Sequence, residues 1–182
     1  TLCEIDNKTL YKQGGNMKKK HLVSIVILVI LVIIVMVLSV QIYYKNIQSH
    51  KVLSEVGFRN IVFNINQLEG AIKFQMDTNW NEPNNVIEKV EDVIEGIYLT
   101  QKIGNELKIL SNEDEMLLER LHRFLRKFPE HSGFPNHEIA ENEIELFEEL
   151  RRNLRDIGWG YNINYSNSWG ELLEKANNLM SK

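Results

Sequence analysis

The chain has 182 residues, 25% of them charged, a formal net charge of −4 and a single cysteine. Its hydrophobic fraction of 43% coexists with a mean hydropathy of only −0.27, because the apolar residues are concentrated in one stretch. These figures exclude a wholly disordered chain, a disulfide scaffold and, with one apolar run of spanning length, a polytopic channel.

The first sixteen residues carry the only cysteine, Cys3. Met17 opens a run of three lysines before the apolar stretch, as an exported bacterial protein begins. Gln13-Gly14-Gly15 can be reverse-translated to a run containing AAGGAGG, a ribosome-binding sequence just upstream of Met17. Residues 1–16 are therefore expected to be translated leader, or else a short disordered cytoplasmic tail. A product starting at Met17 would have no thiol, which suits an exported domain that does not rely on disulfides. The 20 Ile and 20 Asn against 3 Ala match AT-rich codons and a low-GC Gram-positive source.

Between Leu22 and Val40 only Ser24 and Ser39 are polar. A helix of that length reaches roughly 29 Å, the thickness of a bilayer core. Apolar residues cover every face of it, so lipid is its natural surrounding. Residues 22–42 are expected to be a single transmembrane helix. The basic segment 17–21, with Lys18, Lys19 and Lys20, favours a cytoplasmic N-terminus, and Tyr43 and Tyr44 suit the outer headgroup region. The domain 43–182 should then be extracytoplasmic. A cleavable signal peptide is the competing reading, but its apolar region is shorter and ends in a small-x-small site. Here only Val37-Leu38-Ser39 comes near, so an uncleaved signal anchor is expected.

The rest of the chain carries helical periodicity. Phe58, Ile61, Ile65, Leu68, Ile72 and Met76 form a stripe that continues the anchor to about Asp77. Ile87, Val90, Ile94, Ile97 and Tyr98 share a face in a segment from about Val86 to Leu110, which Gly104 is expected to break or bend. Ser111 is an N-cap with Asp114 three positions on, opening a helix with Leu117, Leu121, Phe124, Leu125 and Phe128 that Pro129 stops. A fourth helix follows Asn136 with Ile139, Ala140, Ile144, Phe147, Leu150, Leu154 and Ile157, and Gly158 suits its C-terminal cap. Ser168 and Glu171 make a capping box for a last helix with Leu172, Leu173, Ala176, Leu179 and Met180 facing inward. Tyr161 to Tyr165 alternates like a strand, but over five residues only. The expected fold is all-α: one N-terminal transmembrane helix, then an antiparallel bundle of four to five helices.

From Tyr43 onward there are 16 Lys and Arg against 23 Asp and Glu. So acidic a domain argues against nucleic acid as a partner. The third and fourth helices each start acidic and end basic, which complements the helix macrodipole. With a short loop between them, the basic end of one is expected beside the acidic start of the other.

No Gly-rich phosphate loop or nucleophile elbow is found. His131, His137, Glu138 and Glu141 cluster, but Glu141 stands where a zinc helix needs its second histidine, and neither a metal site nor a cofactor is expected. Carboxylate pairs need a cleft to act as a glycosidase, which a small helical bundle rarely offers. The unusual stretch runs from Gly158 to Gly170, with Trp159, Tyr161, Tyr165 and Trp169 among asparagines. Aromatic platforms with amide donors suit sugar or peptide recognition, so these four are the expected binding residues. The competing reading makes them a loop that closes one end of the core. Asn164-Tyr165-Ser166 matches a glycosylation sequon of little meaning in a bacterium. The expected role is a non-catalytic, membrane-anchored domain that binds a protein or envelope partner. A ligand sensor working through a membrane partner is the alternative, and an envelope enzyme comes last.

Overall fold

A computed structural model describes residues 3–129, 138–163 and 168–182, with side chains from residue 21 onward. The described chain is helical, with no strand among the described residues. Its elements are α1 (Cys3–Gly57), a π-helical turn (Phe58–Val62), α2 (Phe63–Asp77), α3 (Asn84–Glu106), α4 (Asn112–Leu125), α5 (Glu141–Asp156) and α6 (Trp169–Met180). The alternation of 161–165 yields no strand, since Tyr161 to Ile163 form a turn and 164–167 lie outside the described residues.

The chain divides into two units, Thr1–Ile47 and Gln48–Lys182. Among the described residues the first is a single helix, which includes residues 3–16. One helical stretch among the described residues, His21–Asp77, is long and apolar enough to cross a membrane, and none of its 18-residue apolar window is buried within the protein. A polar side chain in such a stretch must find a partner within the helix. Ser39 does so, its Oγ donating to the Val35 carbonyl at 2.8 Å. Tyr43 and Tyr44 meet edge to face, with ring centroids 6.2 Å apart.

The second unit is built on one core. Ile61, Ile65, Leu68 and Ile72 from the π turn and α2 are fully buried with Ile87, Val90, Val93 and Ile97 from α3. Leu118, Leu121 and Leu125 of α4, Phe147, Leu150 and Leu154 of α5, and Leu172, Ala176 and Leu179 of α6 complete it. Each set follows the helical spacing of its element, so burial of apolar area drives the packing. Tyr98 departs from the expected inner face: its side chain is exposed while Ile97 takes the core. One residue turns a helix by about 100°, enough to carry a neighbour out of a narrow stripe.

The π turn depends on three polar or small residues. The Asn64 side chain donates to the Asn60 carbonyl at 2.8 Å and to the Asp92 carbonyl of α3 at 3.1 Å. Gly96 lets α3 approach closely, since a Cβ there would stand 1.9 Å from the Asn60 oxygen. Gly57 does the same for Trp169, whose ring would lie 2.8 Å from an added Cβ.

Helix ends follow local chemistry. Ser111 caps α4 by accepting from the Asp114 amide at 3.1 Å. Gly104 does not break α3, which runs on to Glu106. Its carbonyl accepts from the Ile109 and Leu110 amides just beyond the helix end. α5 starts later than expected: Ala140 is its N-cap, and the Glu143 carboxylate accepts from the Ala140 amide at 2.9 Å. Its other end is a Schellman motif, with Gly158 at φ +80°, Gly158 N–H to the Arg155 carbonyl and Trp159 N–H to the Leu154 carbonyl.

The end of α4 and the body of α5 share one small cavity, lined by Phe124, Lys127, Leu146 and Glu149. α4 packs chiefly on α3 and α6, and α5 on α2. Core demand decides this: Phe147 of α5 stacks with Trp80 of the α2–α3 loop at 5.8 Å and meets Phe128 at 5.3 Å. Burial of these rings is worth more than the few tenths of a kcal/mol expected from exposed charges.

Candidate functional site

A cleft of about 840 Å³ lies where α2, α5, Lys89 of α3 and the turn after α5 meet. It starts from the i, i+4 spacing of Arg151 and Arg155, which puts both guanidinium groups on one face of α5. That face meets Glu69 on α2, a carboxylate with no exposed surface. Arg155 Nη1 donates to Glu69 Oε1 at 3.1 Å. Arg151 Nε stands 2.9 Å from the same oxygen as an ion pair, but lacks hydrogen-bond alignment and is buried without another partner among the described residues. Glu69 Oε2 accepts from the Tyr161 amide at 2.8 Å.

A buried carboxylate is tolerable only when paired and hydrogen-bonded. Glu69 meets that condition and pins the 157–163 turn to α2. One guanidinium neutralises it, so the second leaves a positive charge at the cleft. Lys73 pairs with Asp77 at 2.5 Å, and Lys89 with Asp92 at 2.6 Å. The hydrogen bond to the Asp92 carboxylate raises the Lys89 ammonium above the ordinary lysine value, against the opposing effect of partial burial. The lining thus holds Lys73, Lys89, Arg151 and Arg155 against Glu69 and Asp77, and with Asp92 paired to Lys89 one arginine charge is left over.

Two aromatic side chains stand at the cleft with much of their surface in solvent: Phe74 at 56% and Tyr161 at 72% exposure. Gly70 lies under Tyr161, where an added Cβ would come no closer than 3.7 Å to that side chain. Exposed rings beside polar groups in a concave surface are the usual composition of a binding pocket. A second cavity, of about 600 Å³, is bounded by the 80–85 loop with Glu138 and Ile139, and its described lining holds carboxylates and no cation.

The four aromatic residues expected to bind fall in different places. Tyr161 lines the cleft. Trp159, two residues earlier, is 1% exposed and packs in the core, as the apolar residue that follows a Schellman glycine usually does. Trp169 is half-buried, covers Gly57 and donates from Nε1 to Asp114 Oδ2 at 3.0 Å, joining α6 to α4. Tyr165 lies outside the described residues, as do His131 and His137. Glu138 and Glu141 are exposed, and among the described residues no three metal-ligating side chains gather.

Glu69, Arg151, Arg155 and Phe74 escaped the sequence reading. A trace of them was there: Glu69 follows Leu68 within the apolar stripe of α2, and an acid beside an inward position needs a cation. Comparison with protein families, characterised proteins and solved structures gave no match.

Proposed function

We propose that this chain is a single-pass membrane protein of a Gram-positive bacterium, anchored through residues 22–42 by an uncleaved signal anchor with its N-terminus in the cytoplasm. The domain from residue 43 onward is an extracytoplasmic antiparallel helical bundle. It recognises a protein or envelope partner without catalysing a reaction. The cleft carries this reading: it combines solvent-facing rings, Phe74 and Tyr161, with an excess of cations in an otherwise acidic domain. The non-catalytic part draws on Glu69, a buried carboxylate of the cleft whose oxygens are already engaged by two guanidinium groups and a backbone amide. The lipid-compatible surface of α1 supports the anchor, and Lys18 to Lys20 support the orientation.

The test uses the full chain in native membranes, with a photoreactive residue replacing Tyr161 or Phe74 and, as control, Tyr98, which is exposed on α3 away from the cleft lining. A discrete adduct is expected at the two cleft positions and not at Tyr98. Equal capture at all three would count against the cleft. The sensing alternative has one observation in its favour: α2, which supplies Glu69 and Phe74 to the cleft, follows α1 through the π turn without a loop.

A further inference from the structure

The charge arithmetic of the cleft goes beyond recognition in general. From Gln48 onward the chain has 15 Lys and Arg against 23 Asp and Glu. Such a domain repels anions, so a concave site within it where cations outnumber acids calls for a specific explanation. Tying α5 and its following turn to α2 requires Glu69 and one arginine. A single pair would satisfy the buried carboxylate, and a second desolvated cation is costly unless something else uses it.

We propose that the cleft binds a small organic anion that carries its charge beside an apolar ring; this rests on the cleft being the recognition site. The carboxylate or phosphate of the ligand meets the guanidinium groups of Arg155 and Arg151. Arg155 spends one N–H on Glu69, and its side chain remains 41% exposed, which leaves further donors for the cleft. Arg151 contributes charge from the floor, with an Nε that lies beside Glu69 unaligned. An arginine fork matches carboxylate and phosphate geometry better than an ammonium does. The ring of the ligand lies against Phe74 and Tyr161, whose exposed surfaces are otherwise unfavourable in water. The volume of about 840 Å³ suits a ligand of that class.

The probes are hippurate, phenyl phosphate, inorganic phosphate and neutral hippuramide, titrated calorimetrically against the full chain in phosphatidylcholine nanodiscs. Hippurate or phenyl phosphate should bind at least about ten-fold tighter than hippuramide, the factor supplied by one charge-assisted hydrogen bond. Whichever binds tighter tells a carboxylate from a phosphate source. Phenyl phosphate should exceed inorganic phosphate if the rings contribute. Arg155→Gln should weaken binding by about ten-fold or more, and Tyr161→Ser by several-fold, both in chains that keep their melting transition. Glu69→Gln removes the competing carboxylate and should tighten anion binding even as it lowers stability. Hippuramide binding as well as hippurate would overturn the anionic assignment and leave the cleft reading intact. Absence of binding by all four probes, while photoreactive Tyr161 still captures a partner, would overturn it in the same way. Absence of both would end the two together.

Discussion

Two helical glycines should respond to the same substitution with opposite signs. Gly96 lies inside α3 and Gly70 inside α2, where alanine is favoured over glycine by about 1 kcal/mol on propensity alone. At Gly70 an added Cβ has its nearest neighbour at 3.7 Å, an ordinary contact. Gly70→Ala should therefore keep most of the propensity gain and stabilise by about 0.5–1 kcal/mol. At Gly96 the Cβ would stand 1.9 Å from the Asn60 oxygen and 2.7 Å from its carbon, and both atoms are backbone. Relief requires α3 to retreat from the π turn by more than about 1 Å. A gap of that size forfeits roughly a quarter to a half of the dispersion between facing groups. Ile61, Val93 and Ile97 are fully buried near this approach, each worth about 1.5–3 kcal/mol on burial. The Asn64 link to the Asn60 and Asp92 carbonyls is lost or stretched as well, at about 1 kcal/mol. Against the propensity gain, Gly96→Ala should destabilise by a net of about 2–3 kcal/mol. Urea denaturation of the full chain in mild detergent, followed by tryptophan fluorescence and far-UV circular dichroism, measures both. The packing argument fails if Gly96→Ala is as stable as the parent, or if Gly70→Ala loses as much as Gly96→Ala.

Three further outcomes follow from the polar contacts. Glu69→Leu strands Arg151 and the Tyr161 amide; since Arg155 can turn to water, the loss should be about 2–4 kcal/mol, below the full cost of a deeply buried ion left unpaired, read as a lower urea midpoint. Trp169→Phe keeps a ring on Gly57 but removes the donor to Asp114, so α6 should lose about 1–2 kcal/mol of protection in amide hydrogen exchange. The raised folded-state value of Lys89 stabilises the fold fully below the unfolded lysine value near ~10.4 and loses that contribution as pH rises through the folded value. Lys89→Met should thus cost a few tenths of a kcal/mol at pH 8, a partly exposed pair being worth about 0.2–1 kcal/mol, and the cost should vanish in strongly alkaline solution.

Where the determinants are local, the sequence was sufficient. Ser111, Gly158 and Ser168 each stand at the helix end expected of them, Ser111 with its side-chain cap bond, whereas Ser168 is the N-cap of α6 without a side-chain cap hydrogen bond of the expected capping box. The stripe from Phe58 to Met76 named the buried side of the first outer segment. It did not reveal the π turn within it, because that turn answers to Gly96, distant in the chain but adjacent in space. The start of α5 was placed too early for a similar reason: Ile139 and Ala140 have the right character for a helix, yet the Ala140 amide is held by Glu143 at the N-cap. Which helix packs on which was also beyond local pattern. α4 lies chiefly on α3 and α6 and α5 on α2, while Phe147 of α5 meets Trp80 and, just past the end of α4, Phe128.

The candidate site shows how one aromatic stretch can send its members to different places. Trp159 and Tyr161 stand two residues apart in one aromatic stretch, with equal claims as recognition groups by residue type. The Schellman turn separates them: its glycine sends Trp159 into the core, and the next bend leaves Tyr161 at the cleft, held by its amide on Glu69. Charge behaves the same way. Summed along the chain, the domain is acidic. Folding gathers Arg151, Arg155, Lys73 and Lys89 around a single cavity, while Glu69 is sealed beneath them and Asp77 is engaged by Lys73. An acid hidden by two arginines no longer cancels both of them at the surface, so an acidic domain can present a basic cleft. Net charge is additive over sequence, but what a ligand meets depends on which charges are already spent on each other.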